Sequence, residues 1–204
     1  LINLNNKRRK MEKNILNEIN FQKIKKEKKN VIIYHNNHIH EGLIGIIASR
    51  LKDYFDKPTI VLTKSYNTLK ASARSTKNYN IGKIIKILID MNIIEKGGGH
   101  NMAAGFSIKK KNLSLLDDFV QKDYVNSNKG YEKVFKYDSE ISCSAINKSM
   151  CKEIYKLGPF GNGNSLPTFF IKNVRILKSS LIGESHIKCI VKPDIGISIK
   201  SICF

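Results

Sequence analysis

The sequence contains no apolar run of eighteen residues, so no helix is expected to cross a membrane. Its first residues, Leu1 to Asn6 followed by Lys7-Arg8-Arg9-Lys10, lack the apolar core of a secretory signal. Position 1 is not methionine, and the chain is read as a piece of a longer protein. Cys143, Cys151, Cys189 and Cys203 form no CxxC pair, and no histidine stands at zinc-finger spacing from them. Buried thiols in a reducing cytoplasm are the expectation. Acidic residues are scarce, 17 Asp+Glu against 36 Lys+Arg, giving a net charge of +19. Such a balance suits a polyanionic partner, because neutralising phosphates releases counterions. Lysine far outnumbers arginine, however, and abundant Lys, Asn and Ile are what an A/T-biased genome would give any protein, so charge alone is weak evidence.

The hydrophobic content of 41% is enough for real cores, and 204 residues suit one large or two small domains. No internal repeat is apparent. Residues 1–29 read as one basic amphipathic helix, with Leu4, Met11, Ile15, Ile19 and Gln22 near one face. Val31 to His35 and Thr59 to Leu62 are short apolar runs expected as strands, as is Leu69 to Ser75 after a turn at Tyr66-Asn67. Helical spacing appears over Glu41 to Phe55, in the stripe Ile81, Ile84, Ile85, Leu88, Ile89, and over Asn112 to Asn126. Gly42 and Gly45 leave one helix face bare for the approach of another backbone. These elements predict a compact α/β domain over residues 30–128, with the polar stretch Asn126 to Gly130 as the boundary. Beyond it, Val134 to Ser142, Phe169 to Leu177, His186 to Val191 and Ile195 to Ile202 read as strands, and Ser144 to Leu157 as a helix. A small β-rich barrel over 129–204 fits that pattern. Phe160, Phe169, Phe170 and Lys188 are candidates for stacking and basic contacts to a single strand.

Gly97-Gly98-Gly99-His100 precedes the small residues Ala103, Ala104 and Gly105 and a strand from Phe106 to Ile108. Glycines lack the Cβ that would hold a ligand away, so backbone amides can approach a phosphate closely. His100 can donate a hydrogen bond or carry a proton near neutral pH. Ser72-Ala73-Arg74-Ser75 offers two hydroxyls and a guanidinium that can fork onto a phosphate. His40 stands at a helix start, where an anion is favoured. His38 and His40 point apart if their loop is extended, which disfavours a shared metal.

The stretch Gly97 to Ile108 resembles the signature of the DHH-associated domain of DHH-family phosphoesterases, and His38 to Arg50 and Ala71 to Ser75 match the same family in the same order. Leu157-Gly158-Pro159-Phe160-Gly161-Asn162-Gly163-Asn164 resembles the segment leading into the OB-type domain of RecJ-like exonucleases. The resemblance implies an α/β DHH-associated domain, an OB-like domain that stops short at its end, and residues 1–29 as the helix connecting to a catalytic domain. It implies a metal-dependent exonuclease that degrades single-stranded DNA from the 5′ end in recombination and repair. Its Mn2+ or Mg2+ would be held by a DHH domain. No Asp-His-His triplet occurs here, so no metal is expected on this chain and only binding roles carry over. Gly97, Gly98, Gly99 and His100 would meet the terminal nucleotide or scissile phosphate, with His100 the one candidate for a catalytic role. Arg74, Ser72 and Ser75 would hold a neighbouring phosphate, and His40 would lie near the same cleft. The implied partners are single-stranded DNA and either a separate DHH-domain chain or a single-strand-binding protein. The alternative is a non-catalytic single-strand-binding or regulatory module.

Overall fold

The fold comes from a computed structural model that describes residues 2–128, 134–161, 163–183 and 186–203. Two compact units divide the chain, Leu1–Tyr131 and Glu132–Phe204.

In the first unit, α1 (Ile2–Glu18) and α2 (Phe21–Lys26) replace the single long helix expected over 1–29. Asn20 ends the first run and caps the second, its side chain accepting from Lys23 N. Only the second half of α1 packs: Glu12 is buried, Ile15 and Leu16 are partly so, and Ile19 just past its end is buried, whereas Leu4 is 69% exposed. Next come β1 (Ile32–His35), a 3-10 turn (Glu41–Leu43), α3 (Ile44–Phe55), β2 (Thr59–Ser65), β3 (Thr68–Arg74), α4 (Ile81–Asp90), β4 (Lys96–His100), β5 (Ala103–Ile108) and α5 (Leu113–Ser127). Asn126 and Ser127, expected in the linker, belong to the last turn of α5; Lys129 and Gly130 lie outside the described residues.

The five strands form one sheet in the order β1-β2-β3-β5-β4. β1 and β2 are parallel, joined through α3, and the other pairs are antiparallel. Alternation along the strands sends side chains to two different cores. Ile60 and Leu62 join Ala71, Ala73, Ala104, Phe106 and Ile108 under α4 and α5, while Val61 faces Ile44, Ile47, Ala48 and Leu51 of α3. On that second face the sheet packs against α3, whose main strand contacts are with β2 and β3.

The glycines lie in an edge strand, β4, paired with β5 from Lys96↔Ser107 to His100↔Ala103, and so form one arm of a hairpin. Two tight approaches fix it. A Cβ on Gly97 would stand 2.5 Å from Phe106 Cβ, and one on Gly99 2.3 Å from Ala103 O. Behind the hairpin, a Cβ on Gly82 of α4 would stand 2.9 Å from the His100 carbonyl, so the first turn of that helix is seated on the end of β4.

The second unit contains β6 (Ser139–Glu140), α6 (Lys148–Tyr155), β7 (Phe169–Phe170), β8 (Val174–Ile182), β9 (His186–Pro193) and β10 (Ile199–Cys203). It is β-rich as expected, but β8, β9 and β10 form an open antiparallel sheet rather than a closed barrel among the described residues. The long strand expected over Val134 to Ser142 shrinks to two residues. Only Cys143 and Pro193 are buried among this unit's described residues. Cys151 and Cys203 are exposed, so the expectation of buried thiols holds for Cys143 alone. The Gly158 to Asn164 segment folds on itself: Asn164 Nδ2 donates to Leu157 O and Pro159 O, and Gly161 bridges Asn164; Asn162 lies outside the described residues.

Candidate nucleic-acid interface

Residues directly opposite one another on paired strands share a face. The register therefore assembles rows across β3, β5 and β4 on the face away from α4 and α5. Lys70, Ser107 and Lys96 form the first row, Ser72, Gly105 and Gly98 the second, and Arg74, Ala103 and His100 the third. Every other residue of β3 points the opposite way into the core, namely Leu69, Ala71 and Ala73. Arg74 and His100 thus stand on one face, separated by the width of one strand whose intervening side chain is a methyl.

The floor of the groove is bare at the middle row, where Gly98 and Gly105 carry no side chain and a Cβ on Gly98 would meet nothing within 4 Å. Its wall is the start of α3. The recess of about 540 Å³ between them is lined by Glu41, Gly42, Gly45, Lys70, Ser72 and Lys96, among others. A Cβ on Gly45 would lie 3.2 Å from Arg74 Nη2 and 3.3 Å from Ser72 Oγ. What approaches the bare face of α3 at Gly45 is therefore a guanidinium and a hydroxyl, not the backbone expected from the sequence.

Arg74 Nη1 donates to Ala73 O (3.0 Å) and, at 3.4 Å, to Ser72 Oγ. Ser72 accepts in that bond, so its own proton is available to an anion. Arg74 has no ion-pair partner among the described residues, whereas Lys70 is paired with Glu41 at 2.7 Å. Lys70 and Ser65 hydrogen bonds hold the Glu41 carboxyl below its usual range. His100 Nδ1 accepts from Met102 N at 3.4 Å, so its remaining ring proton is on Nε2 in the neutral form.

Three site expectations are corrected. Ser75 is 1% exposed; its Oγ donates to Tyr79 O at 2.6 Å and its N–H to Met102 O, so it braces the sheet end and cannot reach a phosphate. Gly97 and Gly99 point their missing Cβ atoms at β5, so their lack of a side chain serves strand packing; Gly97 also lines the recess, and only at Gly98 of the three would a Cβ stand in open space. His40 caps the 3-10 turn, its Nδ1 accepting from Gly42 N at 3.1 Å, so the ring satisfies the helix start itself instead of leaving it for an anion. Among the described residues, no group of three His, Cys, Asp or Glu could hold a metal ion, and the donor set here does not fit one.

The second unit carries a separate basic surface, of which sequence inspection picked out Lys188 alone. Pairing puts Arg175 opposite Lys192, Ser180 opposite Lys188, and both Lys178 and Lys200 opposite Ile190. Those five cations share one face. The irregularity between Ile176 and Lys178 makes this possible, since the extra residue, Leu177, resets the alternation. The opposite face is uncharged and apolar, with Ile176, Leu181, Ile187, Val191 and Ile199. The strands could be anticipated, but not the bulge that sorts the charges. Phe170 stacks on Tyr137, with ring centroids 5.1 Å apart.

An α/β unit with an open cationic sheet face is followed by a β-rich unit that carries a basic face of its own. Residues 28–125 match the DHHA1 domain family, and residues 137–204 match the RecJ OB domain family. With this pair, the chain corresponds to the C-terminal part of RecJ-like single-stranded-DNA-specific exonucleases. The chain is similar to the single-stranded-DNA-specific exonuclease RecJ of Haemophilus influenzae, 29% identical over 164 residues, 77% of this chain and 28% of that protein. The Escherichia coli protein of the same name is 28% identical over 160 residues, 76% of this chain and 27% of that one. The crystal structure of RecJ from Thermus thermophilus in complex with Mn2+ superposes with a TM-score of 0.74 at 19% identity, covering 98% of this chain and 29% of that one. The chain thus spans a little over a quarter of the length of these relatives.

Proposed function

We propose that this chain is the substrate-binding portion of a single-stranded-DNA exonuclease, gripping the strand by its phosphates. The hydrolysis, driven by Mn2+ or Mg2+, belongs to a DHH domain acting with it in recombination and repair. The observation that carries the reading is the row Arg74–Ala103–His100 on the groove face. A phosphate there would accept from the Arg74 guanidinium, the Ser72 hydroxyl and His100 Nε2–H. Gly98 and Gly105 let the strand lie close to the sheet. Protein dipoles and cations held in place before binding need no reorganisation, and so they position the terminal phosphodiester for attack. The basic face of β8–β9–β10 supplies sequence-independent attraction along the strand.

Arg74→Ala removes one phosphate contact, so the slope of log affinity against log salt for a single-stranded oligonucleotide should flatten by about 0.7. Affinity should fall about 10- to 150-fold, as for loss of a charge-assisted hydrogen bond of about 1.5–3 kcal/mol. An unchanged slope in the variant would sink the reading.

A further inference from the structure

Glu12 is the odd residue of α1. It is the buried residue of a helix otherwise rich in Lys and Arg, and its Oε1 accepts from Arg50 Nε at 2.7 Å. Burying a carboxylate is costly unless it is paired and hydrogen-bonded. An apolar residue there would anchor α1 to α3 without that cost. The pairing restrains Arg50, which is otherwise 61% exposed, and the bond uses Nε and leaves the Nη groups available.

Arg50 lines a recess of about 320 Å³ with Gly42, Gly45, Ser49, Asp53 and Arg74. Gly42 and Gly45 also line the groove described above, so the two spaces adjoin at the start of α3. Asp53 is the carboxylate of the recess and is paired with Lys52 at 2.5 Å. Two guanidiniums therefore line one recess, together with an Asp53 carboxylate that Lys52 pairs. Arg74 abuts α3 at Gly45, and Arg50 lies five residues further along that helix. Reaching the recess from a strand and from a helix, the two guanidiniums can each take a phosphate of one strand.

Resting on the reading of Arg74 above, we propose that Arg50 holds a second phosphate of the same strand, adjacent to the one at Arg74. Glu12 is its positioning residue, so the N-terminal helix takes part in the binding site.

The test compares thymidine 5′-monophosphate with a 5′-phosphorylated twelve-residue oligothymidylate. Arg50→Gln keeps a donor for Glu12 and removes the charge. It should flatten the salt slope for the oligonucleotide by about 0.7 and leave mononucleotide affinity unchanged. Arg74→Ala should weaken both ligands. Glu12→Leu removes the acceptor for Arg50 Nε and makes the chain more positive, so charge alone would raise oligonucleotide affinity; loss of positioning should lower it with the fold intact by thermal melting. A wild-type slope in Arg50→Gln, or equal loss for both ligands, overturns the second phosphate while the Arg74 site stands. A rise in Glu12→Leu overturns the positioning role. A wild-type slope in Arg74→Ala removes the underlying site and this proposal with it.

Discussion

Gly98 and Gly99 are neighbours that should respond in opposite ways to the same substitution. A methyl at position 99 would stand 2.3 Å from Ala103 O and 2.5 Å from both Cα and Cβ of Ala104. Those atoms belong to β5, which is itself pinned to β3 on its other side, so relief requires β4 to lift away. Overpacking of this kind costs about 1–3 kcal/mol. At position 98 the methyl meets nothing within 4 Å. Because glycine within a strand is about 0.5–1 kcal/mol less favourable than alanine, Gly98→Ala should be neutral or slightly stabilising. Urea unfolding should therefore separate the two variants by on the order of 2–3 kcal/mol. Oligonucleotide binding should reverse the comparison in one respect: Gly98→Ala folds normally but binds more weakly, since its methyl rises from the groove floor. Equal stability of the two variants would refute the assignment of Gly99 to packing. Undiminished binding by Gly98→Ala would refute the placement of DNA over position 98.

Ser75→Ala leaves Tyr79 O without its buried donor and should cost about 1–3 kcal/mol, with oligonucleotide affinity unchanged at temperatures where the variant is folded. The Glu41 carboxyl has a pKa below its ordinary 4.5 in the fold, chiefly through the Lys70 hydrogen bond and then Ser65. Its contribution to stability is therefore present above about pH 4.5 and is lost as pH falls through the lower folded value. Glu41→Gln should remove that contribution at neutral pH, change stability least in acid, where the wild-type carboxyl is protonated, and so flatten the profile through that window, as measured by urea unfolding at a series of pH values.

The apolar stripes told most of the first unit's story in advance. Ile81, Ile84, Ile85 and Leu88 could only be one buried face of a helix, and α4 buries all four. The glycine run carries no strand signal of its own, because glycine is depleted in strands. Strand β4 exists through tertiary contact: β5 comes so near that no Cβ fits at positions 97 and 99. Ser75 illustrates a related limit. Ser72, Arg74 and Ser75 are close in sequence, but alternation along β3 keeps Ser72 and Arg74 on one face, and the strand ends before Ser75 turns inward. Arg50 was hidden for the opposite reason, because nothing in a local pattern links it to Glu12, 38 residues away. In the second unit the apolar runs marked β9 and β10, but Val134 to Ser142 shrinks to β6, Phe169 to Leu177 splits into β7 and β8, and a one-residue bulge decides which face the lysines occupy.

The most direct measurement is a heteronuclear NMR titration of the labelled chain with a 5′-phosphorylated single-stranded oligonucleotide. It would follow the Arg74 guanidinium, the His100 imidazole and the Gly98 amide. The account predicts that all three shift and saturate at a common affinity, while Leu116 and Val120, buried on α5 behind the sheet, stay in place. Shifts gathered around α4 and α5, with Arg74 and His100 silent, would contradict it.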